Sequence, residues 1–347
     1  MKKKIALLLS VAMLTASLAG CGGKSGSTSA PAGDSGSATT EAGGTAAGGH
    51  KDTLVIGTDA DINNLDLQQQ QDQINNIILK NTHQTLVFFN NGSQGDERFG
   101  PCLATSWEFK DDTHIEMKLR DDVHFNDDDK TPMTAEDVKF TIEAIMDPEN
   151  GSENAPNYED VEEITVIDDH TVSFKLDAPN VAFLDYMTMA VLPKHLLEGE
   201  DMQTSDFFRN PVGTGPYKIE SWDEGQAITL VKNEDYFKGE PSIDKVVFKI
   251  VPDDNAKALQ LKSGELDLAL LTPKDAAAFA DDEAYTCYDM KTSDYRGIMF
   301  NFGNEYWQKN RDLIPAVCYG IDRDAIIDAV LLGQGMPAYG PLQRNIY

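Results

Sequence analysis

The sequence predicts an α/β fold, and three observations between Asn210 and Leu270 carry that prediction. First, apolar residues fall in two runs that read as sheet. These are Ile219, Ile228, Leu230 and Val231, then Val246, Val247, Phe248, Ile250 and Val251 ahead of a stop at Pro252. Second, a helix follows directly. Asp253 or Asp254 caps it, Ala256, Ala258, Leu259 and Leu261 lie within it, and Gly264 stands where a C′ glycine belongs. Third, Leu266, Leu268 and Leu270 alternate with Asp267 and Ala269, so a strand returns to the core at once. Ahead of all three, Gly213 and Gly215 flank Thr214 before Pro216, which suits a tight turn into an extended segment. No catalytic motif lies in this stretch; it reads as scaffold.

The chain starts with Lys2, Lys3 and Lys4 before an apolar run from Ile5 to Leu18, too short for a spanning helix with normal flanks. Leu18-Ala19-Gly20-Cys21 resembles a bacterial lipobox, which implies a signal peptide over residues 1–20, cleavage before Cys21 and a diacylglycerol on its thiol. An acylated residue carrying several chains gives stable anchoring at the outer face of the cell membrane. From Gly22 to His50 every residue except Lys24, Asp34, Glu41 and His50 is Gly, Ser, Thr, Ala or Pro. Such a segment buries too little apolar area to offset its ordering entropy, and reads as a flexible tether with a reach of roughly 30 Å.

Lys and Arg number 29 against 58 Asp and Glu, a net charge of −29, or −32 once the three lysines of the first twenty residues are set aside. That balance disfavours nucleic acid and an anionic membrane surface as partners. Without signal and tether, residues 51–347 are long enough for two lobes. With Cys21 assigned to lipid, Cys102, Cys287 and Cys318 remain, in a number and spacing that form neither a disulfide framework nor a zinc site. Three buried free thiols are expected, against one bridge plus one free thiol.

Leu54-Val55-Ile56-Gly57 opens the folded part as a buried strand, and Ile74, Ile77, Ile78 and Leu86 then supply a helical apolar face. Ile115, Met117 and Leu119 alternate with Glu116 and Lys118, a strand with one wet face. Thr134 and Asp137 form a capping pair, with Met133 stapled to Val138, for a helix running through Ile142 and Ile145 and stopping before Pro148. Ile164-Thr165-Val166 and Val172-Ser173-Phe174 around Asp168-Asp169-His170 read as a hairpin. Near the end, two helical runs lie in RDLIPAVCYGIDRDAIIDAVLLGQG, with Asp322 as cap and Gly333 as stop.

Several sharper chemistries fail on spacing. Asp127-Asp128-Asp129 lacks the glycine of a calcium loop and has Val138 where the bidentate glutamate belongs. His114 and His124 have no carboxylate at a zincin spacing. Gly213-Thr214-Gly215 lacks the third glycine of a dinucleotide fingerprint and precedes a strand. No G-x-S-x-G elbow occurs. Neither an enzyme nor a resident metal or cofactor is expected.

PVGTGPY, a W-x-x-G, KNEDYFKGEPSIDKVVFKIVPD and KSGELD, with LATSWEF, LRDDVHFNDDDKTPMTAEDVKFTIE and LDLQQ, stand in one order along the chain. From about Leu54 to Leu342 this order resembles the extracytoplasmic solute-binding proteins of peptide and nickel ABC importers, family 5. The resemblance implies a periplasmic-binding-protein-like two-lobe fold (type II, cluster C) with an accessory subdomain. Its first lobe takes residues 51–98 and 206–293, the accessory subdomain 99–205, and the second lobe starts over 294–347. Members of that family continue well beyond this motif, so a C-terminally truncated chain with an incomplete second lobe and most of the closing wall absent is expected.

The resemblance also implies function: a monomeric, lipid-anchored receptor that closes on a solute and offers it to ABC permease subunits. Oligopeptide or dipeptide comes first; nickel chelate, oligosaccharide and other small polar solutes stay open. A sensor of the same fold without transport and a secreted hydrolase are the competing classes. In the family the loop after LDLQQ lines one cleft wall, and this chain has glutamines there in place of the usual proline or histidine. Gln69, Gln70 and Gln71 read either as polar contacts to a solute or as a solvated helix start. YDMKTSDYRGIMFNF resembles the crossing between lobes along the cleft floor. Tyr295 there would stack on or bond a solute. Arg296 would pair with a carboxylate, its alternative being a surface ion pair.

Overall fold

The computed structural model describes residues 52–66, 69, 72–90, 95–290 and 295–340. Its strands are β1 (Thr53–Thr58), β2 (Val87–Phe89), β3 (Phe99–Pro101), β4 (Ala104–Phe109), β5 (His114–Leu119), β6 (Val161–Asp168), β7 (Thr171–Leu176), β8 (Tyr217–Asp223), β9 (Ala227–Lys232), β10 (Lys245–Ile250) and β11 (Leu268–Ala269). Its helices are α1 (Gln73–Thr82), α2 (Ala135–Met146), α3 (Phe183–Tyr186), α4 (Lys194–Leu197), α5 (Asp254–Ser263), α6 (Pro273–Ala276), α7 (Glu305–Lys309), α8 (Leu313–Tyr319) and α9 (Arg323–Val330). None of these helices is long and apolar enough to cross a membrane.

The predicted α/β scaffold is a five-stranded sheet in the order β11-β1-β10-β9-β8. β1 runs parallel to β10 and β11, while β9 is antiparallel to β10 and β8. The period of two turns Tyr217, Ile219, Ile228, Leu230, Val246 and Phe248 inward, where they share a core with Ile78 and Leu79 of α1 and with Leu192 and Phe208. Asp253 caps α5 by accepting from the Ala256 amide at 2.8 Å, and Gly264 ends it at φ 78°, as the sequence predicts. The strand after α5 is shorter than expected and does not return to the core: Leu266 is buried, but Leu268 and Leu270 are 53% and 54% exposed. β11 is the sheet's edge, bonded only to β1, and its outer face carries these leucines. β1 itself is half-buried rather than buried, apart from Gly57.

A second, antiparallel sheet has the order β4-β5-β7-β6. Ile115, Met117 and Leu119 of β5 are buried with Val172 and Phe174 of β7, against Val138, Ile142 and Ile145 of α2. The α2 capping box forms as predicted, the Thr134 amide donating to Asp137 Oδ2 at 2.8 Å, and the helix ends at Met146 ahead of Pro148. The other Asp137 oxygen accepts from the Lys194 amide at 2.9 Å, tying α2 to α4. The β6–β7 hairpin pairs Ile164 with Phe174 and Val166 with Val172. Asp127 serves structure: it accepts from the Thr131 amide at 2.9 Å and hydroxyl at 2.7 Å, and lies 2.8 Å from His195 Nε2.

Three expectations are corrected. Leu86 is no part of a helical face: α1 stops at Thr82, His83 is extended, and Leu86 joins the core of the second sheet. Ile77 faces solvent, so the α1 stripe is narrower than its isoleucines suggest. The three cysteines are free, but only Cys102 is buried, its Sγ donating to Gln84 Oε1 at 3.1 Å; Cys287 is exposed and Cys318 intermediate. Those two lie on a stretch in which, beyond Phe279, no described residue is buried. Asp322 does cap α9, accepting from the Ala325 amide at 2.9 Å, and Gly333 follows the helix end at φ 77°.

The two sheets meet at the glycine turn. The Gly215 amide donates to the Thr82 carbonyl at 2.9 Å, and a Cβ at Gly213 or Gly215 would run into that same carbonyl. Gly213 in turn exchanges bonds with Asn126, ahead of α2. His83 is enclosed here, its Nδ1 2.8 Å from Thr82 Oγ1. Burial lowers its pKa from 6.5 to about 4, only partly opposed by the Val212 carbonyl. Because the folded value lies below the unfolded one, the unfolded chain binds the proton first as pH falls. The neutral ring therefore contributes fully above about pH 6.5, and about 3 kcal/mol is lost as pH falls toward about 4. Chemical denaturation of wild type and His83→Leu between about pH 7 and about pH 4.5 should show the wild type losing this extra stability. Parallel pH profiles would place the charge-sensitive group elsewhere.

Candidate functional site

Among the described residues, a candidate feature for holding part of a solute is a hollow beside the buried Tyr158. Pro156, at the start of the short 3₁₀ turn Ala155–Tyr158, sets its first turn and leaves no amide unsatisfied. The turn points Tyr158 inward, where it is 1% exposed and donates its hydroxyl to the Tyr186 carbonyl at 2.8 Å. The two rings lie 6.0 Å apart, tilted by 55°. Burial, with Tyr186 adding to it, raises the pKa of Tyr158, so the hydroxyl stays a donor throughout the physiological range.

Two hollows converge on this tyrosine. One is open, about 250 Å³, and lined by Met146, Ala155, Pro156, Tyr158 and Glu159. The other is a narrow gap of about 10 Å³ between Tyr158, Tyr186, Met187 and Met189 and the α2 face. The strip from Tyr186 to Val191 is held on both sides. Val87 donates to the Met187 carbonyl at 3.3 Å, Thr85 bridges Ala190, and the Leu192 amide donates to the Thr141 hydroxyl at 2.8 Å. At the strip's start, Asp185 accepts from Arg98 at 2.6 Å, and that guanidinium stacks on Phe99 at 4.6 Å. Phe89 lies beyond, 5.2 Å from Phe99. Two aromatic pairs, Tyr158–Tyr186 and Phe89–Phe99, thus flank the strip as an aromatic wall in which Tyr158 and Phe99 are buried.

The sequence-predicted residues fall elsewhere. Gln69 is half-buried, its amide donating to the Asp66 carbonyl at 3.2 Å, just ahead of α1. Gln70, Gln71 and Cys21 lie outside the described residues. Tyr295 (48% exposed) and Arg296 sit in an exposed segment without regular structure. Gln69, Tyr295 and Arg296 are not among the residues lining either hollow. Sequence reasoning missed Tyr158, Glu159, Tyr186 and Met189 because their unit read as support. The only local signal was a proline two residues before a tyrosine in SENAPNYED. Among the described residues, no group of three or more His, Cys, Asp or Glu side chains is placed to hold a metal ion.

Removing the Tyr158 hydroxyl tests the base of the wall. Tyr158→Phe should lower unfolding stability by about 1 kcal/mol, since the Tyr186 carbonyl is left without its donor. An unchanged denaturation midpoint would mean that water replaces the hydroxyl at no cost.

Comparison with known proteins adds the context. The family description "Bacterial extracellular solute-binding proteins, family 5 Middle" matches residues 98–347. The oligopeptide-binding protein AppA of Bacillus subtilis is 33% identical over 235 residues, covering 65% of this chain and 42% of AppA. NikZ from Campylobacter jejuni, solved with Ni(L-His), superposes with a TM-score of 0.77 at 32% identity, over 84% of this chain and 58% of NikZ. The ABC transporter substrate-binding protein CtaP from Listeria monocytogenes gives a TM-score of 0.70 at 30% identity, over 86% of this chain and 60% of its own. The chain spans about half the length of the curated relatives it matches.

Proposed function

We propose a receptor role that proceeds from one premise: the chain belongs to the bacterial extracellular solute-binding proteins of family 5. In this reading it binds a solute outside the cytoplasm and delivers it to the permease of an ABC importer, with oligopeptide or dipeptide as the first solute class. The observation that carries it is the fold shared with AppA and NikZ. Solute sites on such folds bury apolar groups while a few polar groups fix orientation. Residues 51–98 and 206–293 serve as the first lobe, 99–205 as an accessory subdomain and 294–347 as the start of the second. Tyr295 and Arg296 lie on the crossing between lobes, and the Gln69–Gln71 loop is offered as a further contact. A nickel–histidine chelate is the second reading, favoured by a TM-score of 0.77 to NikZ against 0.73 to AppA.

Thermal unfolding of the full chain with a peptide library and, separately, with Ni(L-His) tests these readings. At a hundredfold excess over Kd the preferred solute should stabilise the protein by about 2.7 kcal/mol. A shift with Ni(L-His) and none with peptides would replace the first reading by the second.

The anchor is proposed on Cys21, at the end of Leu18-Ala19-Gly20. Cys21→Ser should move the protein from the membrane fraction to the soluble fraction of its native host. Retention in the membrane would remove the lipid from this account.

A further inference from the structure

We propose that hydrogen peroxide joins Cys102 to Lys238 through a sulfur–nitrogen bond, a reversible covalent clamp between the two sheets. The clamp goes beyond the receptor role and does not depend on which solute is bound. Cys102 lies between β3 and β4, and its thiol hydrogen is directed at Gln84 Oε1 at 3.1 Å. That leaves the sulfur lone pairs to Lys238, whose Nζ donates to Sγ at 3.4 Å across 136 residues of chain.

The lysine is placed by more than this contact. Phe237 packs against the core of the second sheet and carries its neighbour Lys238 with it. The amine then lies 5.4 Å from the centre of the Phe237 ring and 5.6 Å from that of Phe88. Phe88 is itself seated over Gly100, its partner in the β2–β3 pair, where a Cβ would come within 2.4 Å of the ring. Although the chain has 58 Asp and Glu, Lys238 makes no ion pair with a described carboxylate that would draw it away. Two rings thus hold an amine against a thiol.

The chemistry follows from that pairing. Cys102 is 3% exposed, which shuts out bulky thiols, whereas hydrogen peroxide is only a little larger than water. Members of this extracellular family work where no glutathione pool keeps thiols reduced. In the first step the sulfur takes one peroxide oxygen as the O–O bond breaks, giving Cys–SOH and a molecule of water. The sulfur is oxidised by two electrons and the peroxide is reduced. A sulfenic acid condenses with a second thiol or with nitrogen, and here the nitrogen is the neighbour. In the second step the Lys238 ammonium gives one proton to solvent, its nitrogen attacks the sulfur, and the S–O bond breaks. The departing hydroxyl takes another lysine proton and leaves as water, so the product is Cys–S–NH–Lys. This bond ties the β3–β4 link to the loop between β9 and β10, and a thiol reductant opens it again.

The test is peptide mapping by mass spectrometry of the full chain after hydrogen peroxide, with free thiols blocked before digestion. The peptides holding Cys102 and Lys238 should be recovered as one species, lighter than their sum by a pair of hydrogens, and should separate again in dithiothreitol. Closing so long a loop should also raise the melting temperature of the treated wild type by on the order of 5 °C. Lys238→Arg keeps a positive charge above the rings but removes the primary amine. It should give no joined species and no shift, with Cys102 carried on to the sulfinic acid, and Lys238→Gln should behave alike. Both changes are at an exposed side chain, and an unaltered melting temperature before treatment checks that the fold is kept. Recovery of Cys102 from the treated wild type as free thiol, as sulfinic acid or in a disulfide, with Lys238 unlinked, overturns the proposal. So does a joined species that survives Lys238→Arg.

Discussion

The closeness of the Gly213–Gly215 turn to the Thr82 carbonyl is the constraint on which the described structure depends. α1 ends at Thr82, and the last carbonyls of a helix have no partner within it. Gly215 supplies one through its amide, Asn233 holds the Gly215 carbonyl at 3.0 Å, and Asn126 clasps Gly213. One turn therefore fixes α1, the loop ahead of α2 and the entry to β8. Glycine is required for its missing side chain rather than for a left-handed backbone, because the space a Cβ would need is occupied.

The aromatic wall inherits its firmness from that junction. The chain leaves α1 through His83 into Gln84–Val87, and this segment supports the strip from Met187 to Val191 by backbone bonds. Tyr186 and Met189 are thus positioned from α1 on one side and from α2 on the other. Tyr158 closes the arrangement from below. Position here comes from hydrogen bonds and packing inside the unit, while the many ion pairs at its rim are solvent-exposed and contribute little.

Lys257 shows the opposite use of charge. It is 1% exposed, and burial lowers its pKa, which would favour losing the proton. Oxygens offset that cost: Asp59 at the end of β1, Asp254 at 3.2 Å and the Leu270 carbonyl at 3.3 Å. These partners join β1, α5 and the end of β11, so the charge holds the exposed edge of the sheet where few apolar contacts are available.

The strands β5 to β10, the capped helices α2 and α5 and the β6–β7 hairpin were legible in the chain because their signals are local. Periodicity, caps and turn residues act within a few positions. The same holds for the glycine turn, whose place was evident although its partner Thr82 was not. Where Leu86 and Leu268 point was not legible, because that depends on which element lies opposite. The wall was hidden for the same reason. Tyr158, Tyr186 and Met189 are scattered through sequence that carries no motif, and they come together through the antiparallel fit of Gln84–Val87 against Met187–Val191 and the Tyr158 hydroxyl on the Tyr186 carbonyl. By itself, then, the sequence determined the class of fold, most of its elements and the family order. The tertiary structure decided which side chains share a surface, because burial and hydrogen bonding between distant segments are set by packing and not by spacing along the chain.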